Sequence, residues 1–404
     1  FKTFGCRTNI FDTQIMTNEF GKHQITQNEL EANTIIINSC TVTNGADASV
    51  RQYVNKIRTK IPNTKLLFTG CGLETLGQKL LDDGKIDGLF GSSEKSRVAE
   101  FAESSEKIIE LGNKDFIDSS IITEISGKTR AYIKIQEGCD FACSYCIIPT
   151  ARGKSRSLTL ETILEQVEVL ASSGFSEFTL TGTNVGSFAN LSKLITMLYN
   201  IQGVKRVRLG SIEPCQVSDE LLEIMTDDKF AKQIHVALQH VSEQILAAMN
   251  RNNIFSEDKK LLEKLFSKGF AIGTDFIVGF PGETKEIWQD AISKVKDLPL
   301  THIHPFIFSP RDGTVAAKLK NTPKGDESKL RLKELNEIVD SCNFNFRQKK
   351  QILKVLVEEN QSGFDQFYNR CDIIGAKPKS WIEVINYNTL KEKNIATEFK
   401  ECNE

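Results

Sequence analysis

The sequence predicts an α/β protein of three units in series: a small parallel α/β unit, an incomplete barrel of six β/α repeats, and a small terminal β unit. Two observations carry this. Apolar, strand-like runs alternate with amphipathic helical segments through most of the 404 residues, as βαβ units and parallel sheets require. That alternation is interrupted by a polar, irregular stretch at residues 115–128, and beyond residue 350 it gives way to short strands around polar turns. A composition of 40% hydrophobic and 26% charged residues excludes a disordered, collagen-like or membrane class. A chain of this length should hold two or three cores.

In the first unit, residues 1–115, Thr34 to Asn38 and Lys65 to Thr69 are continuous apolar or β-branched runs. Strands buried on both faces read this way, and each run ends in turn-like residues followed by a helical pattern. In the second unit, residues 128–325, strand-like runs lie at 131–136, 178–181, 206–212, 234–238, 274–278 and 304–308. Leu160, Ile163, Leu164, Val167 and Leu170 follow helical spacing and stop before Gly174, a C-terminal cap. Eight such units would close an ordinary barrel; six leave it open on one side. Residues 326–350 form a charged amphipathic connecting helix, expected to pack on the outside of the barrel. In the third unit, residues 351–404, the segments 352–358, 382–385 and 394–399 read as strands. No internal repeat or low-complexity tract is present.

The formal net charge of −2 gives no global sign of nucleic-acid binding, so any basic surface must be local. No stretch approaches the ~18 apolar residues of a membrane span, and the start has no basic region followed by an apolar segment. A cytoplasmic protein is expected, with some residues preceding Phe1.

Ten cysteines are unevenly placed. Without a secretory signal, clustered cysteines point to metal or redox chemistry before disulfides. Cys6, Cys40 and Cys71 each stand just past a strand, in Phe4-Gly5-Cys6, Asn38-Ser39-Cys40 and Thr69-Gly70-Cys71. The carboxyl ends of parallel strands line one crevice, where three thiols can converge. Cys139, Cys143 and Cys146 form CxxxCxxC directly after the first barrel strand, and Gly138 lets the backbone turn tightly into that loop. Three thiolates of one short loop can hold three irons of a [4Fe-4S] cluster and leave the fourth iron open for chemistry. The alternative, structural zinc, wants four ligands, and the five histidines lie elsewhere in the sequence. Cys215, Cys342, Cys371 and Cys402 match no ligand spacing and read as structural.

CxxxCxxC after the first strand of a β/α barrel resembles the radical S-adenosylmethionine (SAM) superfamily, in which the open iron binds the amino and carboxylate groups of SAM. Tyr145, before the last cysteine, resembles the aromatic that sits by the adenine there. The resemblance extends over nearly the whole chain. Phe4-Gly5-Cys6-Arg7-Thr8-Asn9, Asn38-Ser39-Cys40-Thr41-Val42-Thr43-Asn44, Thr69-Gly70-Cys71 and the EGCDFACSYCIIPTARG run are similar to the methylthiotransferases. That resemblance implies a radical SAM barrel, a second [4Fe-4S] cluster on Cys6, Cys40 and Cys71, and a terminal TRAM-like domain that helps to hold RNA. NSCTVTNGAD with Arg51 resembles the branch acting on N6-threonylcarbamoyladenosine at position 37 of tRNA. The isopentenyladenosine and ribosomal-protein branches usually read differently after the second cysteine.

The implied reaction replaces an aromatic C–H with C–SCH3. Such a carbon has no acidic proton for acid/base catalysis. In the family's scheme one electron from the Cys139/Cys143/Cys146 cluster cleaves SAM to a 5′-deoxyadenosyl radical, which attacks C2 of the adenine. Sulfur comes from the other cluster, methylated by a second SAM. The N-terminal crevice and the barrel mouth must then face each other. A tRNA anticodon loop, an external electron donor and a sulfur source are the implied partners; no membrane is involved and a monomer is expected. A metal-stabilised RNA-binding protein without turnover is the rival from another class.

Further segments resemble cofactor-lining parts of the family: Gly182, Thr183 and Asn184 after the second barrel strand, Ser211 and Glu213 after the third, and Asp275 on the fifth. Glu213 is expected to accept hydrogen bonds from ribose hydroxyls. The fourth strand departs from the family pattern at His235-Val236-Ala237-Leu238-Gln239-His240, where a proline and a serine-glycine pair are usual. Gln239 is carried over as a cofactor contact, and His235 stands against the reading of a satisfied core histidine. Arg152, Lys154 and Arg156 read as a basic stripe beside the open iron, suited to a phosphate backbone. Arg311 is a candidate substrate contact. Lys377, Lys379 and Trp381 are candidate RNA contacts of the terminal unit.

Overall fold

The computed structural model describes residues 1–20, 25–125 and 127–402; Ser126, within the expected linker, lies outside them. The first unit runs β1 (Lys2–Thr3), α1 (Arg7–Asn18), β2 (Thr34–Ser39), α2 (Asn44–Lys60), β3 (Lys65–Gly70), α3 (Gly77–Asp82), β4 (Gly88–Phe90), α4 (Val98–Glu103) and β5 (Ile108–Glu110). All pairings in this five-stranded sheet are parallel, in the order β1-β2-β3-β4-β5. The alternation along β2 and β3 divides the core between two faces. Ile35, Ile37, Leu66 and Phe68 pack with α2 and α3, while Ile36 and Leu67 pack with Met16 of α1 and with Val98 and Phe101 of α4.

The second unit comprises β6 (Ala131–Glu137), α5 (Ile148–Arg152), β7 (Arg156–Ser157), α6 (Leu160–Ser172), β8 (Glu177–Gly182), α7 (Leu191–Tyr199), β9 (Arg206–Leu209), α8 (Asp219–Ile224), β10 (Gln233–His235), α9 (Glu243–Ala248), α10 (Phe255–Ser267), β11 (Ala271–Val278), α11 (Lys285–Lys296) and β12 (Leu300–Ile307). β6, β8 and β9 form one parallel sheet and β10, β11 and β12 another. Single parallel bridges, Val207 to Phe230 and Ile212 to Val236, join them into a six-stranded open barrel. β7, which the sequence reading missed, is a two-residue strand antiparallel to β6. Helix α6 begins where Thr159 accepts the Thr162 N–H and buries Ile163, Val167 and Leu170, as the spacing predicts.

Helix α12 (Gly325–Arg347) starts with the acidic Asp326 and Glu327 and lies against β11, β12 and α11. The third unit is a closed barrel of β13 (Leu353–Val357), β14 (Ser362–Phe364), β15 (Arg370–Asp372), β16 (Trp381–Thr389) and β17 (Asn394–Glu401), in the order β13-β14-β15-β17-β16. Closure removes every sheet edge. The sequence reading found β13, β16 and β17; β14 and β15 are three residues each, too short for an alternation to register.

This small barrel meets the large one at the starts of its strands. Arg206 donates to the Lys354 carbonyl at 2.8 Å and the Phe364 carbonyl at 3.0 Å, and Arg208 to the Asp365 carbonyl at 2.5 Å. Both guanidiniums pair with the buried Glu177, one on each carboxylate oxygen. Trp381, expected to face RNA, instead donates its indole N–H to Ser176 at 2.9 Å under the Arg206 guanidinium.

Candidate active site

In-register pairing carries the first three thiols to one level. β2 and β3 pair through Asn38 with Thr69 and Ser39 with Gly70, so the next residues along, Cys40 and Cys71, leave the sheet side by side. Thr3 of β1 pairs with Asn38, and the chain turns at Gly5 to bring in Cys6 at the start of α1. Gly5 has φ +101°, and a β-carbon there would come within 2.7 Å of the Cys40 Cβ. Asn9 on α1 ties the crevice together, donating to the Phe4 and Ser39 carbonyls at 2.7 and 2.8 Å. Cys40 and Cys71 are buried and Cys6 is exposed. Burial, together with the neighbouring sulfurs, pushes the Cys40 thiol up to about 11. Burial raises Cys71 as well, against the opposing pull of Arg152. Metal binding is what removes such protons.

The second set leaves the end of β6. Gly138, at φ +77°, lies against the Lys154 carbonyl, with no space for a β-carbon. The Cys139 N–H bonds the Gly153 carbonyl at 3.1 Å, and Ser144 anchors the loop to the Met249 and Ala248 carbonyls at 2.8 Å each. Burial raises all three thiols, Cys146 to about 12. Asn184 places its Nδ2 4.0 Å from the Cys139 sulfur, and Arg251 its Nη1 3.8 Å from the Cys143 sulfur. Arg251 also pairs with Glu213 and donates to the Ala237 carbonyl at 2.5 Å. Sequence reasoning missed Arg251; it stands on no motif, and only the fold returns it to the cysteine loop. The Glu213 carboxylate, expected to accept from ribose hydroxyls, pairs with Arg251 and stays partly exposed. Tyr145 packs edge-on to Phe280, with ring centroids 6.4 Å apart.

The remaining expected residues lie around the mouth and bore. Gly182 ends β8 and Thr183 follows it, both half-buried, and Ser211 is exposed beyond β9. Gln239, in the left-handed region at φ 66°, bonds β11 through its backbone, its N–H to the Asp275 carbonyl at 3.0 Å. Asp275 sits between His235 and His304, with O···N distances of 3.2 and 3.6 Å. Burial opposes its ionisation, but the two histidines hold its carboxyl far below the usual range. His240, the other departure on this strand, is a core residue. Its ring lies 4.7 Å from Phe276, its Nδ1 accepts the Ser242 N–H, and burial holds it down to about 3.

The basic stripe does not form as expected. Arg152 is only 2% exposed and points inward, because its guanidinium finds carboxylates there that repay its desolvation. It donates to Asp12 at 2.9 Å, to Asn9 at 2.6 Å, to Glu137, and through Nε to the Cys71 sulfur at 3.1 Å. Arg156 spends its donors on the Phe116, Arg152 and Lys154 carbonyls. Only Lys154 is exposed. Arg311 is likewise buried and clasps the segment after Cys40, bonding Thr41 at 2.7 Å, Asp47 at 2.6 Å and Asn44 at 2.5 Å. Two arginines read as RNA contacts thus hold the two units together.

The matches to known proteins follow the same division. Residues 133–295 match the model of the radical SAM superfamily, and residues 1–91 match that of the uncharacterized protein family UPF0004. A putative methylthiotransferase of Helicobacter pylori is 44% identical over 98% of both chains. The threonylcarbamoyladenosine tRNA methylthiotransferase MtaB of Aquifex aeolicus is 34% identical over 89% of this chain and 93% of its own. The tRNA-2-methylthio-N(6)-dimethylallyladenosine synthase of Endomicrobium trichonymphae is 31% identical over 90% and 89%. The chain belongs to the radical SAM methylthiotransferases.

Membership in this family makes the chain a transferase that uses a [4Fe-4S] cluster and SAM. The donor set suits a cluster: CxxxCxxC supplies three thiols in one buried loop, with N–H donors of Asn184 and Arg251 near two of the sulfurs. Helix α5 links the two thiol sets, since the Nε of its last residue, Arg152, lies 3.1 Å from the Cys71 sulfur. It begins just after Cys146 and ends at Arg152, five residues or ~8 Å of helix. Among the described residues no helix is long and apolar enough to cross a membrane.

Proposed function

We propose that this enzyme converts N6-threonylcarbamoyladenosine at position 37 of tRNA to its 2-methylthio derivative. The reaction is supported by the two three-thiol sets linked through α5 and Arg152, and the choice of substrate by the likeness to the threonylcarbamoyladenosine tRNA methylthiotransferases. Cys139, Cys143 and Cys146 would hold the cluster that binds SAM, and Cys6, Cys40 and Cys71 a second one. With SAM bound there, the cluster on Cys139, Cys143 and Cys146 would supply the one-electron chemistry that activates an unreactive C–H. The chain's own residues do the rest. Asn184 and Arg251 direct N–H groups toward the sulfurs of Cys139 and Cys143, and Arg311 with Asn44 and Asp47 fixes the crevice over the mouth. Burial of Cys40 and Cys71 keeps water from the sulfur source. A loop nucleotide splayed out of its stack is the kind of base that can enter such a gap.

Comparison of modified nucleosides from a strain lacking the protein and its parent tests the substrate. 2-Methylthio-N6-threonylcarbamoyladenosine should vanish while the unthiolated nucleoside accumulates; loss of the dimethylallyl analogue instead would overturn the substrate assignment. Anaerobic reconstitution should load about eight irons per chain, with SAM cleavage under reductant. Cys40→Ala should retain that cleavage and lose methylthiolation.

A further inference from the structure

The buried contact between units carries more charge than it balances. Asp12 on α1, Lys95 after β4, Lys134 and Glu137 on β6 and Arg152 on α5 are each 2% exposed or less. Asp12 binds Lys95, Lys134 and Arg152 at 2.7, 2.7 and 2.9 Å, and Glu137 binds Lys134 at 3.2 Å and also Arg152. Burial lowers Lys95 to about 8, which still leaves it charged at neutral pH, so three buried cations meet two carboxylates, and Arg156, 3.6 Å from Glu137, adds to the excess of positive charge. Buried charges persist only when compensated. The Arg152 Nε–H points at the Cys71 sulfur, 3.1 Å away. An anion at that sulfur completes the balance.

We propose that Arg152, supplied by the SAM-binding barrel, is a positioning residue for the sulfur-donating site: it anchors the anionic centre on Cys71 and raises its reduction potential. The proposal rests on the reading that Cys6, Cys40 and Cys71 hold a cluster. Reduction adds negative charge, which a buried guanidinium bonded to a ligand sulfur stabilises. Arg152→Gln should be tolerated by the fold, since Lys95, Lys134 and Arg156 still face Asp12 and Glu137. Arg152→Lys keeps the charge but not the planar donor set.

The test is a redox titration followed by electron paramagnetic resonance, in a full-length background with Cys139, Cys143 and Cys146 changed to alanine. That background should retain about four irons. Arg152→Gln should shift the midpoint potential to more negative values, and Arg152→Lys should shift it less in the same direction. Four irons with the same potential in all three proteins would overturn the role of Arg152. A parent background without iron would instead remove the second cluster, and the proposal with it. If Arg152→Gln does not fold, the Arg152→Lys shift alone decides.

Discussion

Gly5 shows how tightly the sulfur crevice is built. Its positive φ and its 2.7 Å approach to Cys40 leave no place for a methyl group. Gly5→Ala should therefore displace Cys40 and lower reconstituted iron by about half, with SAM cleavage retained; iron assay and cleavage assay on one preparation check both. The sequence made Gly5 and the three cysteines legible because turn residues and strand ends are local features. It misplaced Arg152, whose role depends on Cys71, 81 residues away. A basic residue in a loop beside cysteines reads as exposed until the fold brings Asp12 and Glu137 against it.

At the scale of the element, β8 and β9 show how a parallel barrel tolerates charge at its strand starts. Glu177 opens β8 and satisfies Arg206 and Arg208 on β9. Burial opposes its ionisation, yet Arg206, Arg208 and Arg130 bring its carboxyl down from 4.5 to about 2. Between those values the unfolded chain binds more protons than the folded one, so stability rises with pH across that window and is lost as pH falls through it. Glu177→Gln should cost about 3–5 kcal/mol at neutral pH by leaving two buried guanidiniums uncompensated, and should flatten the acid limb. Denaturant unfolding of the cluster-free chain at several pH values measures both.

For the whole molecule, the proposed function requires that the crevice of the first unit be held over the mouth of the second. Among the contacts that do this are the ion pairs of Arg152 and Lys134 with Asp12 and of Arg311 with Asp47. The Arg311 pair is buried beside the Cys40 segment, and the hydrogen bonds of Arg311 go to Asn44, Thr41 and Asp47 rather than to a thiol. Arg311→Ala should leave SAM cleavage within about twofold but reduce methylthiolated product at least about tenfold, because misplacement of a reactive group by an ångström is that costly. Equal loss of both activities would show that Arg311 acts on the first site instead. The small barrel contributes from the other end, where Tyr368 accepts from Arg7, the neighbour of Cys6, at 3.0 Å.

The sequence by itself determined the order of elements, the open barrel and the six thiols. Periodicity, strand ends and motif spacing are set by residues within a few positions of one another. The tertiary structure alone decided which charges are buried and what they face. Arg152, Arg311 and Trp381 all carry polar groups that sequence leaves free to meet solvent or ligand. Each instead finds a partner in the folded chain, and that partner lies 81 to 270 residues away. A buried polar group must be satisfied wherever the chain supplies a partner, and that place is fixed by packing rather than by neighbours in sequence.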